Sequence, residues 1–114
     1  MILSLAVAAT ACSMSISLDE AKALVLHAPD VRASVVERGA RPSVDVEETG
    51  SNGWLLRVYA TNGCDPGVAA CSTLIGYYDV DKTTTEVDDL DNRRVESPEM
   101  SRAREALRRK HCGV

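Results

Sequence analysis

The residues best able to do chemistry in this chain are four cysteines, two histidines and a late run of acids. Cys64 and Cys71 enclose Asp65-Pro66-Gly67, a strong turn signal, so they are expected to form a disulfide that staples a loop. A metal reading fails, because this pair and two distant histidines lack zinc-ligand spacing. His27 and His111 have no motif neighbours. His111 and Cys112 sit side by side on an expected helix, where adjacent side chains diverge, so they cannot act as a catalytic pair. No nucleophile elbow surrounds any serine. Asp79, Asp81, Glu86, Asp88, Asp89 and Asp91 invite a calcium reading. A loop starting at Asp79 would need glycine and glutamate where the chain has Thr84 and Leu90. The expectation is therefore no catalytic residues, no metal and no cofactor, with the acids forming a solvated hairpin that protects a sheet edge.

Cys12 follows an apolar run, Ile2 to Ala9, and the small residues Ala9 and Ala11 stand where a signal peptidase reads them. Residues 1–11 are expected to be a signal peptide, 12–16 a tether and 17–114 one domain. Cleavage before Cys12 resembles processing at a bacterial lipoprotein box, which would make Cys12 the lipidation site. The alternative is ordinary secretion, with Cys12 free to pair with Cys112. Either way the protein is expected in the periplasm or cell envelope, and as an outer-membrane lipoprotein if lipidated, since no Asp follows Cys12.

The elements that must position these residues are well punctuated. Ser17-Leu18-Asp19-Glu20 fits a capping box, and Ala21, Leu24, Val25 and Ala28 make one helical stripe. Pro29 is expected to end that helix, and Asp30 to cap a short second one reaching Arg38, with Val31 and Val35 inward and Gly39 as its stop. From Pro42 the period switches to two. Val44 and Val46 alternate with acids, and Thr49 to Gly53 reads as a hairpin turn. Trp54, Leu56, Val58 and Ala60 share one strand face, opposite Leu55, Arg57 and Tyr59. After the cysteine loop, Leu74, Gly76, Tyr78 and Val80 are expected on one face. A brief acidic strand ends near Leu90. Ser97-Pro98-Glu99 opens a tail helix with the stripe Met100, Ala103 and Leu107.

With no phenylalanine and only Trp54, Tyr59, Tyr77 and Tyr78 aromatic, the core must be aliphatic. The net charge of −4 divides unevenly: residues 1–91 carry six Lys/Arg against fourteen Asp/Glu, and residues 92–114 seven against three. An acidic chain without aromatics in its basic stretch excludes nucleic acid as a partner. Cations crowding the last turn of the tail helix oppose its dipole, which accounts for most of them.

The expected fold is α+β: an N-terminal helix with a short second helix, a four-stranded antiparallel meander and a C-terminal helix. The helix opening Ser17-Leu18-Asp19-Glu20-Ala21-Lys22-Ala23 and the later run Gly76 to Val87 resemble a PepSY-type domain of cystatin-like architecture, over residues 17–90. Thr85 stands where that family has glycine, and the cysteine loop and basic tail helix are additions. The resemblance implies an extracytoplasmic, non-catalytic module associated with peptidases. The chain is thus expected to bind a protein, most concretely as an inhibitor or immunity-type protein against a periplasmic hydrolase. The loop residues Asn62, Gly63, Asp65, Pro66 and Gly67 are the expected contact. The alternative is a structural envelope lipoprotein recruited through Arg102, Arg104, Arg108 and Arg109, tethered to the membrane by Cys12.

Overall fold

A computed structural model describes residues 12–61 and 72–113. Three helices, α1 (Leu18–Val25), α2 (Pro29–Arg38) and α3 (Pro98–Cys112), accompany four strands, β1 (Arg41–Thr49), β2 (Gly53–Thr61), β3 (Ser72–Asp81) and β4 (Val87–Asp88). The strands form one antiparallel sheet in the order β1-β2-β3-β4. This is the α+β layout with a meander that the alternating periods imply.

Local chemistry sets the helix ends. The capping box forms: Glu20 N donates to Ser17 Oγ at 3.1 Å and Ser17 N to Glu20 Oε1 at 2.8 Å. Gly39 (φ 64°) closes α2 and Gly113 (φ 70°) closes α3, both in the left-handed region that glycine enters without a Cβ clash. The start of α2 differs from expectation. Pro29 is its first residue and Ala28 its N-cap, with no side-chain cap, so Asp30 lies inside the first turn. A proline lacking an N–H leaves one fewer orphan donor there, and Asp30 still faces the positive end of the helix dipole.

The helices pack on one sheet face. Leu56, Val58, Tyr78, Val80 and Val87 meet Ala21, Leu24, Val25, Ala28, Val31 and Met100 in a single core. Each large apolar side chain buried there contributes roughly 1.5–3 kcal/mol relative to exposure. Val31 is fully buried, Val35 only half so. Trp54 packs against the edge of this core without being fully buried. The segment 12–16, expected as a tether, also belongs to the core. Met14 and Ile16 are 5% and 3% exposed, and Ile16 N donates to Lys82 O at 2.9 Å. Ser13, Ser15 and Ser17 alternate with them and face out, a period of two too short to stand out in the sequence.

Two bulges shift the strand faces. On β3 the register steps from Val58↔Gly76 to Tyr59↔Leu74, leaving Ile75 as an extra residue. Leu74 therefore lies on the face of Tyr59 rather than that of Tyr78, and is 46% exposed. On β1 the register steps from Val46↔Leu56 to Glu48↔Leu55, so Glu47 is the extra residue. The expected fourth strand shrinks to Val87–Asp88, and Leu90 beyond it is 62% exposed. In the β3–β4 turn, buried Thr85 takes φ 62°, unusual for a β-branched residue. Its neighbours hold it there. Thr85 N donates to Asp81 O at 2.8 Å, and its carbonyl accepts from Arg104 Nε at 3.1 Å.

Candidate binding face

Among the described residues no helix covers the second sheet face, where the strand register sets a cluster around Arg57. Arg57 pairs across β1 with Asp45 and across β3 with Tyr77. Its guanidinium lies 3.1 Å from Glu47 Oε1 and 3.9 Å from Asp45 Oδ2. Its Cζ stands 5.0 Å from the Tyr59 ring centroid, within cation–π range. Asp45 and Glu47, two apart on β1, share a face by strand alternation, and the β1 bulge sets that face against Arg57: counted from Thr49↔Trp54 without the shift, Val46 would stand opposite Arg57. Loss of water works against the Arg57 charge, and Tyr59 and Glu47 outweigh it, holding its pKa above the ordinary arginine value. Arg57 Nε is shut off from solvent and has no hydrogen-bond partner among the described residues. Leu55 and exposed Leu74 extend the same face. β2 ends at Thr61 and β3 begins at Ser72, the described residues that flank the cysteine segment in the sequence.

The loop residues expected to make contact, Asn62, Gly63, Asp65, Pro66 and Gly67, and the pair Cys64 and Cys71, lie outside the described residues. Cys12 is joined to Cys112 in a disulfide with Cα atoms 5.7 Å apart. A sulfur in that bond cannot also carry a thioether lipid, so the disulfide form is an unlipidated form. The four tail arginines are not equivalent. Arg104 is 16% exposed at its side chain and bonds both Glu96 carboxylate oxygens at 2.9 Å, besides the Thr85 carbonyl. It is therefore a packing residue of the turn. Arg102, Arg108 and Arg109 project outward, with contacts of 3.8–4.0 Å to Glu99 and Glu105.

The acidic hairpin is held by its own turn chemistry. Asp81 Oδ1 accepts from Thr83 N and Thr84 N, both at 2.8 Å. The Thr84 bond leads in holding its carboxyl below the usual range. Asp79 and Asp88 face one another across β3 and β4, an unfavourable pairing of like charges. Arg94 relieves it, lying 2.8 Å from Asp88 and 2.8 Å from Glu86. No metal-competent group of three or more His, Cys, Asp or Glu occurs among the described residues. None of the described helices is long and apolar enough to cross a membrane.

A second charge cluster joins the ends of the domain. Glu20 takes Lys110 Nζ at 2.7 Å and His111 Nε2 at 2.9 Å while still capping α1. The Lys110 hydrogen bond does most to lower its pKa to about 2, against the opposing effect of burial. A carboxyl whose pKa falls on folding stabilises the protein above its unfolded pKa, and loses that contribution as pH drops through the folded value. Glu20→Gln is expected to destabilise the protein by on the order of 2 kcal/mol at pH 7. The gap should narrow as pH falls from 4.5 towards 2. Thermal melts of both proteins across that range check this; a gap independent of pH would assign the loss to packing. His27 is used through its backbone, its carbonyl accepting from the α3 cap hydroxyl of Ser97 at 2.9 Å.

Comparison with family models, curated proteins and solved structures finds no match.

Proposed function

We propose that this chain is an exported protein-binding module without a catalytic site, most concretely an inhibitor or immunity-type protein acting on a periplasmic hydrolase. The observation that carries the reading is the Arg57–Tyr59–Tyr77 cluster on the sheet face that no described helix covers, on the two strands that flank the cysteine segment in the sequence. Arginine and tyrosine dominate the energetics of protein interfaces, because they supply large, stiff contact area with polar tips. Two acids hold Arg57 in place before any partner arrives, which lowers the ordering cost of binding. The strongly shifted groups support a binding role in that each is engaged in structure: Glu20 in the cap and end cluster, Tyr78 in the core. The Cys12–Cys112 bond supports an oxidising compartment. The PepSY-like resemblance belongs to the same reading.

Capture from envelope extract tests it, using the oxidised protein, Arg57→Ala and a loop variant replacing Asp65, Pro66 and Gly67 together as baits. A genuine partner is retained by the parent and reduced at least tenfold by each variant, about 1.4 kcal/mol or more. Retention that survives both changes removes the face and loop as contacts. Retention lost only when Arg102, Arg108 and Arg109 are neutralised moves the contact to the tail helix, as the envelope-assembly reading requires.

A further inference from the structure

We propose that the free outer edge of β3 is a strand-addition site that takes an extended, basic segment of a partner protein. Of the ten residues of β3, only Asp79 and Val80 pair with β4. Ser72 to Tyr78, apart from the bulged Ile75, have a strand partner on the β2 side alone among the described residues. Asp81 N donates to Glu86 O at 3.0 Å, on the β4 side. Backbone groups alternate sides along an antiparallel strand, so Asp79 and Tyr77 direct theirs the same way. β4 takes Asp79. The N–H and C=O of Tyr77 are left facing the lane that β4 vacates when the chain turns off after Asp88.

The two outer edges of the sheet are treated differently. Along β1, Pro42, Asp45, the bulged Glu47 and Glu48 supply devices by which natural sheets discourage added strands. Ser72 to Tyr78 contains neither a charge nor a proline. The Ile75 bulge confines the regular ladder to Gly76–Tyr78, next to β4. A groove of about 390 Å³ lies along this stretch, with Ile75, Tyr77, Leu90 and Val95 as its apolar lining.

The groove's charge selects the occupant. Its acids are Asp30, Asp89, Asp91 and Glu96, of which Glu96 is held by Arg104 at 2.9 Å; its single base, Arg94, is likewise bound by Glu86 and Asp88 at 2.8 Å each, which leaves Asp30, Asp89 and Asp91 to set the charge. Burial, then Asp30 and Asp89, push the Tyr78 hydroxyl up to about 12, in keeping with an acidic surround. A second copy of this chain would bring the same three acids, Asp30, Asp89 and Asp91, to the junction, so self-pairing is disfavoured. A strand carrying lysine or arginine at alternate positions places its backbone on Tyr77 and its cations against the acids, the usual division of labour in strand addition.

The test uses the oxidised full chain and a blocked hexapeptide of alternating lysine and valine, followed by amide NMR. The expected result is saturable shifts centred on Gly76, Tyr77 and Tyr78, with slowed exchange of the Tyr77 amide on binding. Affinity should fall at least tenfold for the glutamate–valine peptide, for the N-methylated lysine peptide and for an Asp30→Asn, Asp91→Asn double variant. Equal binding of the N-methylated peptide overturns strand addition. Shifts centred elsewhere, no binding up to about 1 mM, or a Tyr77 amide as protected as Tyr78 in the free protein each overturn the site. A dimer that pairs through β3 overturns the heterologous occupant.

Discussion

Gly53→Ala is expected to prevent stable folding, while Gly50→Ala three residues earlier is expected to leave stability nearly unchanged. Gly53 opens β2 with φ 155°, a backbone geometry side chains avoid, and pairs with Asp81 of β3. A Cβ built there would lie 1.8 Å from the Val80 carbonyl oxygen and 2.9 Å from its carbonyl carbon. Those atoms belong to the central ladder, so no side-chain rotation relieves the contact. Either the two strands separate at their paired ends, or β2 shifts and carries Leu56 and Val58 out of the core. At Gly50 the nearest obstacle to a Cβ is the Gly53 carbonyl at 3.7 Å, an ordinary contact. A loss of about 4 kcal/mol or more at Gly53, against under about 1 kcal/mol at Gly50, follows from overpacking of rigid backbone. Urea melts of the two variants decide it. Equal stabilities would mean that the hairpin slides freely past β3.

Gly53 also marks the boundary of what the sequence makes legible. Its place in a turn follows from Thr49-Gly50-Ser51-Asn52-Gly53 alone, but its intolerance of a methyl group depends on Val80, which is far along the chain. The helix caps are readable because both partners in a capping box lie within one turn. Ser17 with Glu20 and Ser97 with Met100 N form as their spacing implies. The strand faces are readable only until a bulge, which sequence alternation does not announce. That is why Leu74 sits opposite its expected face, while Val58 and Tyr78 sit where alternation puts them.

The Arg57 cluster was half visible. Arginine and tyrosine alternating with core residues on β2 place Arg57 and Tyr59 on the open face. Counting back from the turn pair Thr49↔Trp54 would bring Val46 opposite Arg57; only the Glu47 bulge shifts the register by one and sets Asp45 there, with Glu47 on the same face. The tail helix shows the opposite limit. Its cations fit the dipole rule, yet Arg104 and Lys110 have specific partners, Glu96 with Thr85, and Glu20, that dipole reasoning does not supply. The open face and the β3 edge share Tyr77, so the sheet offers a partner two adjoining surfaces, one of side chains and one of backbone.

Removing the Cys12–Cys112 bond by Cys112→Ser is expected to cost about 2–4 kcal/mol and to lower the melting temperature by on the order of 10–20 °C. The bond spans 100 residues of sequence, and chain-entropy reasoning gives the longest loops the greatest restriction of the unfolded state. In a domain of this size that is a large share of the whole folding free energy. The native ends are also held by contacts that survive the substitution. Glu20 still grips Lys110 and His111, and Met14 and Ile16 still fill the core. The bond and the Glu20 cluster clamp the same two segments, so their losses should couple. In a Cys112→Ser background Glu20→Gln should cost more than in the parent, because the charge cluster then bears a larger part of the alignment of α1 and α3. A cycle of the two single variants and the double variant measures that coupling by thermal and urea melts. Strict additivity would show that the two clamps act on independent regions. An unchanged melting temperature in Cys112→Ser would show that packing alone fixes the ends. Intact mass of the protein from its native host, before and after reduction, completes the test. It separates a Cys12–Cys112 disulfide from a lipidated Cys12 with Cys112 free, because one sulfur cannot serve both.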